Sequence, residues 1–518
     1  MKTADVIVVG AGVGGLMASL ILSGRGLNVV LLERAATPGG KMRQRFDGNR
    51  PIDAGPTVFT LKRIFQEAFD SVGLDFDALV PTRKASVLAR HAWNRESRFD
   101  LFADVHRSIE SVADFAGCAE AEGFRRFVAD SARIWRTLER SFVRAPKPEF
   151  MGLLRGAGVS GLADLLATRP FQTMWRALGD YFRDPRLRQL FGRYSTYCGS
   201  SPYQAPATLM LVAHVEQDGV WMIDGGMHRL AQIFAEMAGA FGADICYGAH
   251  VTSITPSSEQ FIVQLQDGQS LLARSVVFNG DASAIGRGFA GADIMRAVEP
   301  TPRDGRSLSA LTWTFESRTR DFPLVRHNVF FSNDYAAEFD AVARNRLIAD
   351  PTVYLCAQDR GDDDAPLDQT ERILALVNAT PNGDVREFTA QEISECATRM
   401  TARLNECGLT LETPPKLEHA QTPMDFDRLF PATGGALYGR ASHGWRASFQ
   451  RPGVRTKIPG LYLAGGSVHP GPGVPMAALS GWAAANCVLQ DLTSRFASRT
   501  TATRGGTSTR SAMTAHTG

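Results

Sequence analysis

The chain has 518 residues, of which 44% are hydrophobic and 21% are charged, a composition typical of a globular protein. This length exceeds what one compact core usually supports, so we expect two domains, which can be interleaved. A formal net charge of +2, with no nucleic-acid-binding motif, argues against a nucleic-acid partner. The seven cysteines have no CxxC spacing, which argues against a disulfide framework and favours a reducing cytoplasm. The ten histidines have no metal-ligand spacing, which argues against a metal site.

The first forty residues predict a βαβ unit. Residues 6–9 and 29–32 are short apolar runs typical of buried strands, and residues 16–24 predict a helix that closes at Gly26. Although residues 6–22 are largely apolar, glycines interrupt them, so the run indicates a strand, a turn and a helix. We therefore expect neither a transmembrane helix nor an export signal.

The turn of this unit has the sequence Gly10-Ala11-Gly12-Val13-Gly14-Gly15. Gly10 permits a tight turn, Gly12 lets the backbone approach a pyrophosphate, and Gly15 allows the helix and strand to pack closely. The helix N-terminus offers N–H groups to the phosphates. Glu33, after the second strand, can accept hydrogen bonds from ribose hydroxyls, and its charge disfavours the 2′-phosphate of NADP. The spacing predicts binding of an adenine dinucleotide.

Two further segments favour FAD over NAD. Residues 39–41 (Gly-Gly-Lys) would supply a second glycine-rich, cationic loop beside the cofactor. Near the other end of the chain, residues 461–467 predict a strand and a glycine turn, and residues 474–476 (Val-Pro-Met) predict the start of a helix. An extended dinucleotide held by segments from both ends of the chain is what FAD requires.

Residues 124–194 predict long helices with two distinct stripes. The apolar stripe contains Phe124, Phe127, Trp135, Leu138 and Phe142, with Ser131 at the same helical spacing. The basic stripe contains Arg133, Arg136, Arg140 and Arg144. Residues 124–193 hold 14 Lys or Arg against 6 Asp or Glu. Two interpretations fit this pattern: a face that enters a bilayer with its arginines at anionic headgroups, or core-facing aromatics under a solvated charged face.

The rest of the chain predicts strands, two helices and a tail. The strands cover residues 243–254, 261–266 and 275–278 and, in a second sheet, 312–315, 329–332 and 353–357; the helices cover residues 227–241 and 393–407. Residues 493–518 are poor in large apolar side chains, above all from residue 499 onward, and predict a disordered tail.

These motifs resemble those of the glutathione-reductase-type flavoprotein oxidoreductases, which include the amine oxidases. Residues 53–57 (Asp-Ala-Gly-Pro-Thr), 224–227 (Asp-Gly-Gly-Met) and 465–475 resemble the bacterial carotenoid (phytoene) desaturase family, and the resemblance covers nearly the whole chain except the tail. Residues 55–60 and 469–481 are most similar to the 1-hydroxycarotenoid 3,4-desaturases. These are also called methoxyneurosporene or hydroxyneurosporene dehydrogenases, of the spheroidene pathway in purple phototrophic bacteria.

The resemblance implies an α/β fold, α+β overall, in which a glutathione-reductase-type Rossmann FAD-binding domain is interleaved with a substrate domain. The FAD-binding domain would comprise residues 1–80, 215–300 and 425–492. The substrate domain, residues 81–214 and 301–424, would consist of a mixed sheet and a helical lid that faces a membrane.

The resemblance also implies which residues bind FAD. They are Gly10, Gly12, Gly14, Gly15, Glu33, Arg34, Gly40, Lys41, Gly55, Pro56, Thr57, Val251, Gly466, Val474, Pro475 and Met476. Residues 55–57 would pass near the isoalloxazine, and Val251 would contact the adenine through its backbone. Gly466 and residues 474–476 would face the ribityl chain and the pyrimidine end of the flavin. Many relatives carry an acid shortly after the C-terminal Gly-Gly pair, and this chain departs from that pattern with Ser467.

The implied activity is formation of a C3–C4 double bond, which converts hydroxyneurosporene to demethylspheroidene or methoxyneurosporene to spheroidene. Flavin N5 would accept a hydride from the allylic C4, and a proton would leave C3. The cation delocalises into the polyene, so no strong base is needed. His469 is the one titratable candidate for catalysis, and the alternative is a turn histidine that hydrogen-bonds backbone.

A C40 carotenoid resides in bilayers, so we expect a peripheral protein on the cytoplasmic side of a membrane. The residues do not identify the electron acceptor. The rival interpretations are a phytoene desaturase, a flavin amine oxidase on the same fold, and a non-catalytic lipid or isoprenoid carrier that resembles Rab-escort proteins. The intact Gly10, Gly12, Gly15 and Glu33 weigh against the carrier.

Overall fold

The computed structural model describes residues 2–149, 165–361 and 369–503, which form two large sheets surrounded by helices. The strands are β1 Lys2–Val9, β2 Val29–Glu33, β3 Gln44–Asp47, β4 Arg50–Asp53, β5 Thr82–Lys84, β6 Val87–Ala92, β7 Arg98–Phe102, β8 Trp221–Ile223, β9 Asp244–Tyr247, β10 Val251–Pro256, β11 Phe261–Leu265, β12 Ser270–Phe278, β13 Ser309–Ser317, β14 Thr319–Arg320, β15 His327–Phe330, β16 Val353–Ala357, β17 Glu371–Ala379, β18 Thr410–Leu411, β19 Ala420–Gln421 and β20 Leu461–Leu463.

The helices connect these strands and cover both sheets. They are α1 Val13–Gly24, α2 Lys62–Asp70, α3 Phe76–Leu79, α4 Val105–Ala116, α5 Cys118–Leu138, α6 Met174–Leu178, α7 Pro185–Gly192, α8 Leu211–Asp218, α9 Met227–Ala240, α10 Ala282–Gly286, α11 Tyr335–Ala343, α12 Ala390–Glu406, α13 Pro423–Leu429 and α14 Val474–Thr503. A π-helical turn, Glu139–Val143, follows α5 directly. Among the described residues, no helix is both long and apolar enough to cross a membrane.

The first sheet contains seven strands in the order β10-β11-β12-β1-β2-β9, with β20 beside β12. β1 runs parallel to β2 and to β12, so the carboxyl ends of these strands meet at one edge. This arrangement confirms the predicted βαβ unit. A Cβ at Gly481 would lie 1.9 Å from the carbonyl oxygen of Gly14, so α14 covers α1 with backbone in close contact.

The second sheet is mixed and has the strand order β19-β13-β17-β16-β15-β6-β7. One face packs against α12, with Trp313 and Phe315 in the same buried cluster as Met400 and Leu404. The other face carries Val329 and packs against the helical layer formed by α4 to α8. The small pair β5–β8 joins residues 82–84 to residues 221–223, which were assigned to different domains. The proposed domain boundaries stay a prediction.

The apolar stripe of the helical layer faces the protein core. Phe124, Phe127, Trp135 and Leu138 of α5 are all buried. This confirms the core-facing interpretation for these four residues. Their role as a face that enters a bilayer is wrong, because the protein's own side chains already cover them.

The basic stripe is divided between paired and exposed arginines. Arg133 pairs with Asp130 at 2.9 Å, and Arg144 pairs with Glu67 at 2.6 Å. The exposed members of the stripe are Arg136 and Arg140. The four arginines therefore do not form one continuous cationic face.

Two predictions of local structure are wrong in part. The strand expected over residues 243–254 is two strands, because the chain turns at Gly248 with a φ of +71°. Residues 493–503, expected in a disordered tail, continue α14 to Thr503. Extending an existing helix costs far less than starting one, which offsets the weak helix propensity of Thr and Ser. The remainder of the predicted tail, residues 504–518, lies outside the described residues.

Candidate active site

The glycine turn after β1 forms a cradle of backbone at the start of α1. Gly10 has a φ of +98°, and Gly12 is the N-terminal residue before the helix. Among the described residues, no side chain caps α1, so its first amides are free to receive an anion. A Cβ at Gly15 would lie 2.1 Å from the Gly10 carbonyl oxygen, as the predicted close packing of helix and strand requires.

Asn279, directly after β12, supports this cradle from below. Its side-chain amide donates a hydrogen bond of 3.1 Å to the Gly10 carbonyl. A Cβ at Gly12 would lie 2.8 Å from Asn279 Nδ2, and one at Gly14 would lie 2.6 Å from Asn279 Oδ1. Sequence reasoning missed Asn279, although its position at the carboxyl end of a buried strand was a usable signal.

Glu33 ends β2 beside the cradle and is buried. Its carboxylate accepts a hydrogen bond of 2.6 Å from the Ala11 amide and one of 2.8 Å from the Ala35 amide. The Ala249 amide donates to the Glu33 backbone carbonyl at 2.9 Å, which holds the start of β10 at the same edge. Val251 begins β10 there, so the structure brings together the residues expected at the ribose and the adenine.

The loop at residues 39–41 lies against the cradle. The Gly39 amide donates to the Ala11 carbonyl at 2.8 Å. A Cβ at Gly40 would lie 3.2 Å from the Gly12 Cα, so the second glycine loop lies against the first. Lys41 donates to the Leu437 carbonyl at 2.5 Å, and burial lowers the pKa of this ammonium.

The loop at residues 55–57 packs against the loop at residues 39–41. A Cβ at Gly55 would lie 1.7 Å from the Lys41 carbonyl oxygen, so a side chain there would separate the two loops. Asp53, just before it, accepts hydrogen bonds from the Met227 amide at 2.7 Å and the His228 amide at 3.4 Å. The motifs at residues 53–57 and 224–227 therefore meet in the fold, with the Asp53 carboxylate at the start of α9.

The C-terminal turn completes the site. The Gly465 amide donates to Ser480 Oγ at 2.8 Å, and α14 starts at Val474 as predicted. Arg451 donates to the Gly466 carbonyl at 3.4 Å, and burial lowers its pKa to about 10. Ser467 accepts a hydrogen bond of 3.1 Å from the Ala282 amide, so it binds the start of α10.

One predicted cofactor residue has its side chain engaged elsewhere. Arg34 donates to the Arg428 carbonyl at 3.2 Å and to the Leu429 carbonyl, both at the end of α13. A guanidinium suits this position, because the last carbonyls of a helix lack partners within the helix. The structure therefore assigns the Arg34 side chain a contact that the sequence did not indicate.

A ring of side-chain contacts lies next to these loops. Beyond Gly55 and Lys41, the Tyr438 side chain packs against Gly199, since a Cβ there would lie 2.6 Å from the tyrosine ring. The Arg193 guanidinium lies 5.1 Å from the ring of Tyr197 and 5.4 Å from that of Tyr354. Tyr354 bonds in turn to Thr57 at 2.6 Å between their oxygens. The ring thus returns to the loop at residues 55–57.

Two hydrogen-bonded groups form the polar part of this ring. In the first, Tyr354 also lies 2.8 Å from His327 Nδ1. In the second, Arg193 donates to the Tyr197 hydroxyl at 2.9 Å, and Glu216 accepts hydrogen bonds from Tyr197 at 3.4 Å and from Tyr194. Burial raises the pKa of Glu216 and of both tyrosines, so these phenols stay protonated at neutral pH.

His469 is fully buried in the C-terminal turn. Its Nε2 lies 2.7 Å from the Phe142 carbonyl, so Nε2 carries the proton and donates. Nδ1 is buried without a partner among the described residues, and burial lowers the pKa of the imidazole to about 4. The structure therefore places His469 in a hydrogen bond with backbone, at the π-helical turn of the helical layer.

The residues present fit FAD. Within the described part of the chain, the helix start carries no side-chain cap, which leaves its first amides for the diphosphate. The two loops pack with their backbones in close contact, because a Cβ at Gly12 would lie 2.8 Å from Asn279 Nδ2 and one at Gly40 would lie 3.2 Å from the Gly12 Cα. Glu33 has carboxylate oxygens at the edge where a ribose would lie. The loop at residues 55–57 packs against the second glycine loop, since a Cβ at Gly55 would lie 1.7 Å from the Lys41 carbonyl oxygen.

Comparison with known proteins agrees with this fit. A model of the flavin containing amine oxidoreductase family matches residues 13–489. The chain is 48% identical over 517 residues to the hydroxyneurosporene desaturase of Rubrivivax gelatinosus, covering 99% of this chain and 98% of that protein. It is 43% identical to the hydroxyneurosporene desaturase of Cereibacter sphaeroides over 95% of this chain and 98% of that protein.

More distant relatives extend the comparison. The chain is 28% identical to the 1-hydroxycarotenoid 3,4-desaturase of Flavobacterium sp. (strain P99-3), over 92% of this chain and 96% of that protein. Among solved structures, wild-type putrescine oxidase bound to putrescine matches with a TM-score of 0.58 and 15% identity, covering 94% of this chain and 99% of that chain. This last likeness concerns the fold alone.

The chain belongs to the flavin-containing amine oxidoreductase family, and it is an FAD-dependent oxidoreductase. Within that family it belongs to the carotenoid desaturases, with hydroxyneurosporene desaturases among its relatives. The predictions of the fold class, of FAD and of the family are therefore confirmed. The individual FAD contacts stay predictions that the geometry above supports.

Proposed function

We propose that this chain introduces a C3–C4 double bond into 1-hydroxy- or 1-methoxycarotenoids. The observation that carries the proposal is the 48% identity, over 517 residues, to a hydroxyneurosporene desaturase. A relative named as a 1-hydroxycarotenoid 3,4-desaturase supports the position of the new bond.

The surroundings of the ring of contacts suit a long apolar molecule with one polar end. Val58, Leu211, Val212 and Phe449 are partly buried and pack against the core of the helical layer. Such side chains would contact the polyene, while the few convergent polar groups of the ring would orient its end. Tyr354 belongs to both sets, because its ring packs against the same core.

In the proposed reaction, the hydrogen on C4 leaves with its bonding electron pair, a proton leaves C3, and the C3–C4 π bond forms. FAD supplies the hydride acceptor, N5, when bound. The protein's part is to hold C4 beside the loop at residues 55–57 and to exclude water. His327 is a weak base, because burial lowers its pKa to about 3, and the Tyr354 phenol keeps its proton because burial raises its pKa. This fits a reaction that needs no strong base.

A catalytic role for His469 stays a prediction. Its Nε2–H is committed to the Phe142 carbonyl, and its low pKa makes the imidazole a poor proton acceptor at neutral pH. Full turnover by a His469→Ala variant would remove the residue from the reaction.

We further propose that the protein takes its substrate from the cytoplasmic face of a membrane. Phe171 is 70% exposed and lies edge-on to Trp445, with 5.5 Å between ring centroids. The Arg446 guanidinium is 5.0 Å from the Trp445 ring. Exposed aromatic rings beside a cation suit an interface that contains anionic lipid. Leu166, also exposed, precedes Phe171 in the same segment.

Product analysis tests the function. The chain is expressed in a host that accumulates 1-hydroxyneurosporene, and pigments are separated by chromatography with absorption spectra. We expect a product with one more conjugated double bond and a red-shifted spectrum. Phytoene and putrescine are the comparison substrates, because oxidation of either one alone would favour a rival function on the same fold.

A further inference from the structure

Building on the proposed function, we propose that the Thr57 hydroxyl donates a hydrogen bond to the oxygen on C1 of the substrate. Tyr354 and His327 set the direction of that bond. Thr57 is thereby a residue that selects carotenoids with an oxygen at C1.

The position of Thr57 suits this role. The oxygen sits on C1, and only three single bonds join C1 to C4, so the group that binds the oxygen must lie beside the reacting end. Gly55 and Pro56, the two preceding residues, belong to the loop expected at the isoalloxazine. Thr57 is half-buried, so the residue is neither sealed in the core nor fully open to solvent.

The hydrogen bonds have a direction that starts at His327. The imidazole is buried and neutral, and its Nε2 has no partner among the described residues. Buried N–H groups without a partner are rarer in proteins than buried acceptors without one, so the unpartnered Nε2 is the nitrogen without the proton. The proton therefore resides on Nδ1, which donates to the Tyr354 oxygen at 2.8 Å.

The direction continues through Tyr354 to Thr57. Because the Tyr354 oxygen already accepts from His327, its own proton is directed to Thr57 Oγ1 at 2.6 Å. Thr57 Oγ1 then accepts one hydrogen bond and keeps its own O–H as a donor for a ligand. A single donor can serve a hydroxyl oxygen and an ether oxygen alike, which fits both 1-hydroxy and 1-methoxy substrates.

A substrate without this oxygen would leave the Thr57 donor unpaired in a sheltered site. An unpaired buried polar group is costly, so a site built around a substrate hydroxyl rejects the analogue that lacks it. Selection at C1 therefore follows from the three-residue chain.

The test compares two substrates that differ by one oxygen: 1-hydroxyneurosporene and 1,2-dihydroneurosporene, which has the same carbon skeleton. In the FAD-loaded enzyme, Thr57→Val should lower the ratio of their kcat/KM values about 10-fold, mainly through KM. Thr57→Ser, which keeps a hydroxyl, should restore the ratio. Tyr354→Phe removes the donor to Thr57 and should lower the ratio several-fold.

Tyr181→Phe is the matched control, because its hydroxyl bonds to Asp130 within the helical layer. Its ratio should equal that of the wild type. Binding of both carotenoids, followed by quenching of tryptophan fluorescence, gives a second readout, and the flavin spectrum checks that each variant retains cofactor. An unchanged ratio and unchanged relative affinity in Thr57→Val would overturn the inference. A wild-type enzyme inactive on every 1-hydroxycarotenoid would instead refute the proposed function.

Discussion

Oε2 of Glu33 accepts a hydrogen bond from the Ala11 amide at 2.6 Å, so the acid that ends β2 holds the glycine turn that follows β1. A second bond of 2.8 Å from the Ala35 amide fixes the other carboxylate oxygen. The acid therefore shapes the cradle as well as offering acceptors to a ribose. This double role makes its charge the feature to test first.

Glu33→Gln should weaken FAD binding about 10- to 100-fold, because an amide cannot accept on both of its atoms and hydrogen bonds to a charged group are the stronger kind. Flavin fluorescence after dialysis measures the dissociation constant. Glu299→Gln is the control, since that side chain is 90% exposed and pairs with Lys457. Equal affinity in Glu33→Gln and wild type would show that the carboxylate does not support the cofactor.

Gly481→Ala should destabilise the cofactor cradle through α1. The new methyl would lie 1.9 Å from the Gly14 carbonyl oxygen, so α14 must move away from α1. Overpacking of this kind costs about 1–3 kcal/mol in the free energy of unfolding, which denaturant titration measures. Gly239→Ala in α9 is the control, because open space surrounds its Cβ and alanine favours a helix. A stability equal to wild type in Gly481→Ala would contradict the close crossing.

The stability of the protein should fall as the pH drops below about 6.5. Burial lowers the pKa of His469 to about 4 and those of His91 and His327 to about 3, from 6.5 in an unfolded chain. Between these folded-state pKa values and 6.5, the unfolded chain binds more protons than the folded protein does. The free energy of unfolding is therefore highest above pH 6.5 and falls as the pH drops below that value. Between pH 7 and 5.5, each histidine accounts for about 1 kcal/mol.

Urea unfolding at the two pH values measures this loss. His469→Gln should reduce the pH dependence by the contribution of one histidine. His250→Gln is the control, because that side chain is exposed. The assignment fails when His469→Gln and wild type lose equal stability on acidification.

The double variant Phe171→Ser/Trp445→Ser should bind less to vesicles that contain anionic lipid. Burial of an aromatic ring in the interface contributes roughly 1.5–3 kcal/mol, so loss of Phe171 and Trp445 should weaken binding at least 10-fold. Flotation with liposomes measures the bound fraction. Phe289→Ser, which changes another exposed ring, is the control. The prediction is wrong if the double variant floats with liposomes as wild type does. If the Arg136→Gln/Arg140→Gln variant then binds fewer liposomes, the membrane contact lies at the basic stripe.

Periodicity alone could not assign the apolar stripe of α5. Phe124 and Trp135 recur at helical spacing whether the covering surface is lipid or protein, so the pattern leaves both open. The structure decides because Phe191 and other buried side chains of the helical layer pack in the same cluster as Phe124. The prediction of disorder for residues 493–503 was wrong for a related reason. Composition indicates whether a segment folds by itself, whereas these residues extend a helix that already exists.

The amino-acid sequence by itself determined the βαβ unit, the glycine cradle and the acid at position 33, because neighbours within about forty residues define them. Only the tertiary structure brought Asn279 under Gly10 and Thr57 to Tyr354. The partners in these pairs are 269 and 297 residues apart in the sequence. No local spacing encodes a contact made by strands and helices that pack from distant parts of the chain.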